Sequence, residues 1–156
     1  MALTTITLPG KNMVLLALLT WLYASPSSPC YAALGSNQAS VASEQQDWGA
    51  TVSTSALPGA TLYHLTLGNG LTVREYVDSA GTVFAIGWEG PVLPDFKRLL
   101  AAYFASYQQA VRSQQHGVNL NTPALVLESG GRMRAFVGRA YLPAKLPSGI
   151  SVNAIY

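Results

Sequence analysis

The stretch Leu71-Thr72-Val73-Arg74-Glu75-Tyr76-Val77-Asp78-Ser79-Ala80-Gly81-Thr82-Val83-Phe84-Ala85-Ile86-Gly87-Trp88 decides the fold class. Two runs rich in β-branched and aromatic residues flank Asp78-Ser79-Ala80-Gly81. Gly81 suits the left-handed position of a three-residue hairpin loop, so the runs are read as paired antiparallel strands. Setting Asp78 opposite Thr82 places Tyr76 opposite Phe84 and Arg74 opposite Ile86. In that register Tyr76, Phe84, Ile86 and Trp88 share a face.

Upstream, Tyr63, Leu65 and Leu67 alternate with polar residues, and Gly68-Asn69-Gly70 supplies a second hairpin turn. The result is a three-strand meander. Downstream, Leu93-Pro94-Asp95 opens a helix predicted over residues 94–111, with Phe96, Leu99, Leu100, Tyr103, Phe104 and Tyr107 on one stripe. A helix lying on one sheet face would bury that stripe. A hairpin follows: a strand over residues 123–128, a turn at Ser129-Gly130-Gly131 and a partner strand over residues 132–142. A bulge at Gly138 would align Met133, Ala135, Val137, Ala140 and Leu142 on one side. The tail, with Ile150, Val152 and Ala154 alternating, is expected to add a short edge strand or to hang free. The fold class is therefore α+β: an antiparallel sheet of about five strands with the helix packed on one face. A parallel βαβ arrangement is the runner-up.

The N-terminal third reads differently. Lys11 precedes the apolar run from Met13 to Ala24, then come Pro26, Pro29 and Cys30-Tyr31-Ala32. That is the layout of a signal peptide over residues 1–32, cut after Ala32. The run is shorter than the roughly 18–20 residues that span a bilayer, so no permanent transmembrane anchor is expected. The exported chain, periplasmic or secreted, would keep about 124 residues, the size of one domain. Cys30, the single cysteine, would leave with the leader and exclude internal disulfides. Lipidation at Cys30 is disfavoured by the preceding Ser27-Ser28-Pro29. Residues 33–60, rich in Ser, Ala, Gly, Gln and Thr, are read as a flexible arm ahead of a single α+β domain over residues 61–156.

Charge and chemistry narrow the function. Nine Lys and Arg face seven Asp and Glu, and Lys11 would go with the leader. A near-balanced chain without a basic cluster argues against nucleic acid. His64 and His116 are isolated and there is no second cysteine, so no metal site or cofactor is expected. No motif frames a nucleophilic Ser, and Pro94 removes a donor where a phosphate-binding helix start would need one. No catalytic residue is assigned. Glu75 is read as a solvated charge near the strand margin. The candidate ligand or partner surface is basic and aromatic: Arg132, Arg134, Phe136, Arg139 and Tyr141. An arginine-bearing outer face is also the ordinary way to blunt a sheet edge, and that is the default reading. These features imply a non-enzymatic binding or accessory module for another exported protein or an envelope component. The rival is a small periplasmic enzyme using Glu89 or Glu128 beside the arginines.

Three runs carry a family resemblance. They are Val73-Arg74-Glu75-Tyr76-Val77-Asp78 with Gly81-Thr82-Val83-Phe84-Ala85, Trp88-Glu89-Gly90-Pro91-Val92-Leu93-Pro94-Asp95, and Glu128-Ser129-Gly130-Gly131-Arg132-Met133-Arg134-Ala135-Phe136 with Gly138-Arg139-Ala140-Tyr141-Leu142-Pro143. With the junction Ala32-Ala33-Leu34-Gly35, the sequence resembles the bacterial domain-of-unknown-function family 2844. The resemblance implies an exported bacterial protein without an assigned activity, and it carries no catalytic residues over.

Overall fold

The computed structural model describes residues 34–114 and 117–156. Its frame is one seven-stranded antiparallel sheet, in the order β1-β2-β3-β4-β7-β6-β5. The strands are β1 (Thr51–Leu57), β2 (Ala60–Thr66), β3 (Thr72–Asp78), β4 (Val83–Gly90), β5 (Val118–Asn121), β6 (Val126–Arg132) and β7 (Ala135–Tyr141). Helix α1 (Ala39–Trp48) precedes the sheet, and α2 (Phe96–Leu100) and α3 (Phe104–Ser113) lie between β4 and β5. The α+β class and the antiparallel meander stand, and the strand count is seven rather than five.

Both additional strands sit at the sheet edges. β1 pairs with β2 across Pro58-Gly59, where Gly59 has φ 77°. Proline then glycine at the centre of a tight turn is a type II signature. β5 occupies what reads as a polar loop, with Val118 buried and Asn119 exposed. The segment expected as a flexible arm is ordered instead. Leu34 N donates to Leu99 O at 2.9 Å, and Gly35 N to Val83 O at 2.8 Å. α1 then buries Ser40, Val41 and Glu44, and Gly49 ends it with φ 58°.

Register corrects the expected faces. Val77 pairs with Val83, whereas Tyr76 pairs with Ala85, so Phe84 is an extra residue on β4. A bulge changes which side the following residues face. Ile86 and Trp88 consequently enter the core beneath the helices, while Tyr76 and Phe84 enter a second core on the opposite side. Gly138 has no bulge: β7 runs in unbroken register with both β4 and β6. A side chain there would overlap the Trp88 ring, so glycine lets that indole lie flat against β7. The β6–β7 turn falls at Met133-Arg134, with Arg134 at φ 62°, and Ser129-Gly130-Gly131 lies inside β6.

The predicted long helix is broken. Asp95 caps α2, its Oδ1 accepting from Lys97 N at 3.0 Å and Arg98 N at 3.3 Å. Ala101 then turns to φ 39°, although no Gly or Pro is present. Phe96, Leu99 and Leu100 press into the sheet, whereas α3 buries only Ala110. Tyr107 folds its ring back to 4.5 Å from Phe96, which meets Trp88 edge-on at 5.1 Å. Tertiary packing here outweighs the even periodicity of the sequence.

The C-terminal tail is neither strand nor free end. It crosses the sheet face opposite the helices, with Ile150 and Ile155 buried beside Tyr76, Phe84 and Ala85. Tyr76 Oη donates to Ala154 O at 2.9 Å, and Arg74 Nη1 to Tyr156 O at 2.9 Å. Gly87 admits the tail, because a Cβ there would overlap the Tyr156 carbonyl. The sheet is thus covered on both sides, by helices on one and by the tail on the other.

Candidate functional site

A cleft of about 1100 Å³ opens between the β5–β6–β7 end of the sheet and the tail. Asn119, Glu128, Arg132, Arg139, Asn153 and Tyr156 give it its polar and aromatic character, and glycines of β6 and β7 form much of its wall. Arg139 and Glu128 are cross-strand partners, and Arg139 Nε donates to Glu128 Oε2 at 2.9 Å. Arg139 Nη1 also donates to Val152 O at 2.9 Å, so one guanidinium ties strand to tail. Arg132 is exposed and makes no ion pair among the described residues.

Regular alternation through β7 sorts the five predicted surface residues. Arg132, Arg139 and Tyr141 fall on the tail side of the sheet, and Arg132 and Arg139 line the cleft. Tyr141 packs on the second core instead. Phe136 has the opposite parity, and Arg134 stands in the turn. The structure therefore brings two of the five together in the cleft. Arg74 also pairs on this side of the sheet, with Glu89 at 2.6 Å. Among the described residues no group of three or more His, Cys, Asp or Glu could hold a metal, and His116 lies outside them.

A second cluster escaped the sequence reading. Glu44 of α1 and Glu75 of β3 are both 0% exposed, on the helix side of the sheet. Glu75 is thus no marginal charge: it alternates with Val73 and Val77, both core residues. That alternation is visible in the sequence and points Glu75 inward. Glu44 lies in a Ser/Ala/Gln-rich run that gives no comparable signal. None of the four carboxyl oxygens finds a donor among the described residues. Burial raises both groups above the ordinary carboxylate range, and the charge of Glu75 raises Glu44 further while Arg98 opposes the rise. The two side chains are within hydrogen-bonding reach of each other, so a proton held between them is the available donor.

The fold and cleft define an α+β protein built on one antiparallel sheet with a polar groove at its β5–β6–β7 end. The chain belongs to the family described as "Protein of unknown function (DUF2844)", whose model matches residues 30–155. The match takes in α1 and β1, so the segment read as an arm is part of the family's domain. Neither the curated proteins nor the solved structures provide a match.

Proposed function

We propose that this chain is a non-enzymatic binding module of an exported compartment, taking an anionic group of a partner or envelope component in the β5–β6–β7 cleft. The observation that carries the reading is Arg132, a guanidinium without an ion pair among the described residues, on a cleft whose other arginine is already held by Glu128. A free Arg fork beside amide side chains and Tyr156 suits a carboxylate or phosphate. Export rests on the sequence of residues 11–32, which lie outside the described residues. No helix among the described residues is long and apolar enough to cross a membrane.

The enzymatic rival draws on the same cleft, since Glu128 does cluster with Arg139 in a concavity. Two-carboxylate chemistry needs a second acid, and among the described residues the cleft lining offers Glu128 alone. Two measurements test the proposal. Mass spectrometry of the native protein is expected to find an N-terminus at Ala33, or within a residue or two; a cytoplasmic chain starting at Met1 contradicts export. Titration with inorganic phosphate and with a dicarboxylate is expected to give binding that Arg132→Ala abolishes. Equal binding by the variant removes the cleft from the account.

A further inference from the structure

We propose that Glu44 and Glu75 form a proton-dependent latch that docks α1 onto the sheet, closed while the pair holds a proton and released when both carboxyls ionise. Nothing in the binding cleft uses these groups: they lie on the other side of the sheet, fully buried, and reach no solvent.

The physical case begins with α1 itself. Its N-cap, Gln38, makes no side-chain cap, and the helix has no acid in its first turn and no base in its last. A ten-residue helix so placed is marginal on its own and depends on what it packs against. The side it buries consists of Ser40, Val41 and Glu44. Glu44 meets Glu75 there, so one of the three buried docking residues is an acid facing another acid. Two carboxylates in a dry contact repel and have lost their water, whereas an acid and a carboxylate, or two acids, share a hydrogen bond. The proton thus decides whether this contact holds or expels α1.

The neighbouring charges do not remove that dependence. Arg98 of α2 acts on Glu44 favourably but is also bound to Asp47 of α1, whose charge acts in the opposite direction. Arg98 further lies over the Trp48 ring at 5.8 Å, so it holds the C-terminal end of α1. On β2, Tyr63 is the cross-strand neighbour of Glu75, and its hydroxyl accepts from Gln38 Nε2 at 2.5 Å. On β4, the neighbour is Ile86, which is apolar. His64 alternates to the opposite face of β2, where it pairs with Arg74. Among the described residues the cation that acts on the pair is thus Arg98, which is shared with Asp47.

The test is hydrogen exchange on the purified protein, read as protection factors corrected for the intrinsic pH dependence of exchange. Peptides covering residues 39–48 are compared with peptides covering β4, between about pH 5.5 and 8.5. Each proton released on opening makes the opening constant rise about tenfold per pH unit, so the slope is at least tenfold across this range. The latch predicts that α1 protection falls with this slope relative to β4, and that Glu44→Gln/Glu75→Gln, which keeps an amide-to-carbonyl bond without titrating, abolishes the slope. A wild-type ratio independent of pH, or an unchanged slope in the double variant, overturns the proposal. Should the variant fail to fold, infrared spectroscopy of the wild type decides. A carbonyl stretch of a protonated carboxylic acid persisting at neutral pH supports the latch, and its absence overturns it.

Discussion

Two pairs of side chains on opposite faces of one sheet solve the same problem in different ways. On the tail side, Glu128 is met by Arg139, partly in water, with side chains 44% and 20% exposed. On the helix side, Glu75 is met by Glu44 and both are out of water altogether. The first pair is satisfied by a permanent cation that also reaches the tail backbone. The second can be satisfied only by a proton. The helix side is therefore held by a contact that depends on pH. The guanidinium-bearing face opens into the cleft, and the face with the acid pair is sealed.

A side chain at Gly138 would run into both the Trp88 ring and the Glu128 carbonyl, which crowd the same point beside its backbone. Gly138→Val forces a side chain into both and should cost more than about 3 kcal/mol, since neither an indole in a full core nor a strand backbone can yield. Chemical denaturation checks this, and a loss under about 1 kcal/mol would mean that the Trp88 ring has room to move away from β7. Arg139→Ala should have the next largest effect. It leaves Glu128 without its partner and strips a donor from Val152 O and Ile155 O, for a loss of about 2 kcal/mol after discounting the exposure of Glu128. Faster proteolysis of residues 146–156 should accompany it. Arg132→Ala should be the smallest, within about 0.5 kcal/mol of wild type, because Arg132 holds nothing in place. Its effect is expected on anion binding alone.

The sequence was most legible where local chemistry and tertiary packing agree. The Asp78–Gly81 turn does form, with Asp78 N donating to Thr82 O at 2.9 Å and Gly81 at φ 80°. The buried half of the helical stripe, Phe96, Leu99 and Leu100, also lies where its periodicity places it. Legibility failed where packing inserts or removes a residue's worth of register. Phe84 is an ordinary strand residue by type, and only the need to fill a core on each face makes it the bulge. At Gly138 the reverse holds: a glycine that reads as a bulge is regular because Trp88 needs its space. β1 had a usable signal in Pro58-Gly59, outweighed by the polar composition of residues 51–56. Of the site, the acid–arginine pairing of Glu128 and Arg139 was partly legible. The tail that walls the cleft was not, because its position depends on Gly87 and on hydrogen bonds across 82 residues of sequence.

The central claim is that a buried acid pair, with Arg98 shared between Glu44 and Asp47, holds α1 in place through a proton. Burial lifts Glu75 to about 7 and Glu44 to about 10, against 4.5 for the free side chain. With folded values above the unfolded one, the native state binds more protons through this range. The pair's contribution to stability is therefore fully present below about pH 4.5 and is lost as pH rises through the folded values. Urea unfolding at about pH 5.5 and about pH 8.5, on wild type and on Glu44→Gln/Glu75→Gln, measures this directly. The account predicts that wild type loses several kcal/mol over that interval, at up to about 1.4 kcal/mol per pH unit for each proton, and that the double variant loses far less. A wild type as stable at pH 8.5 as at 5.5, or more so, would contradict it.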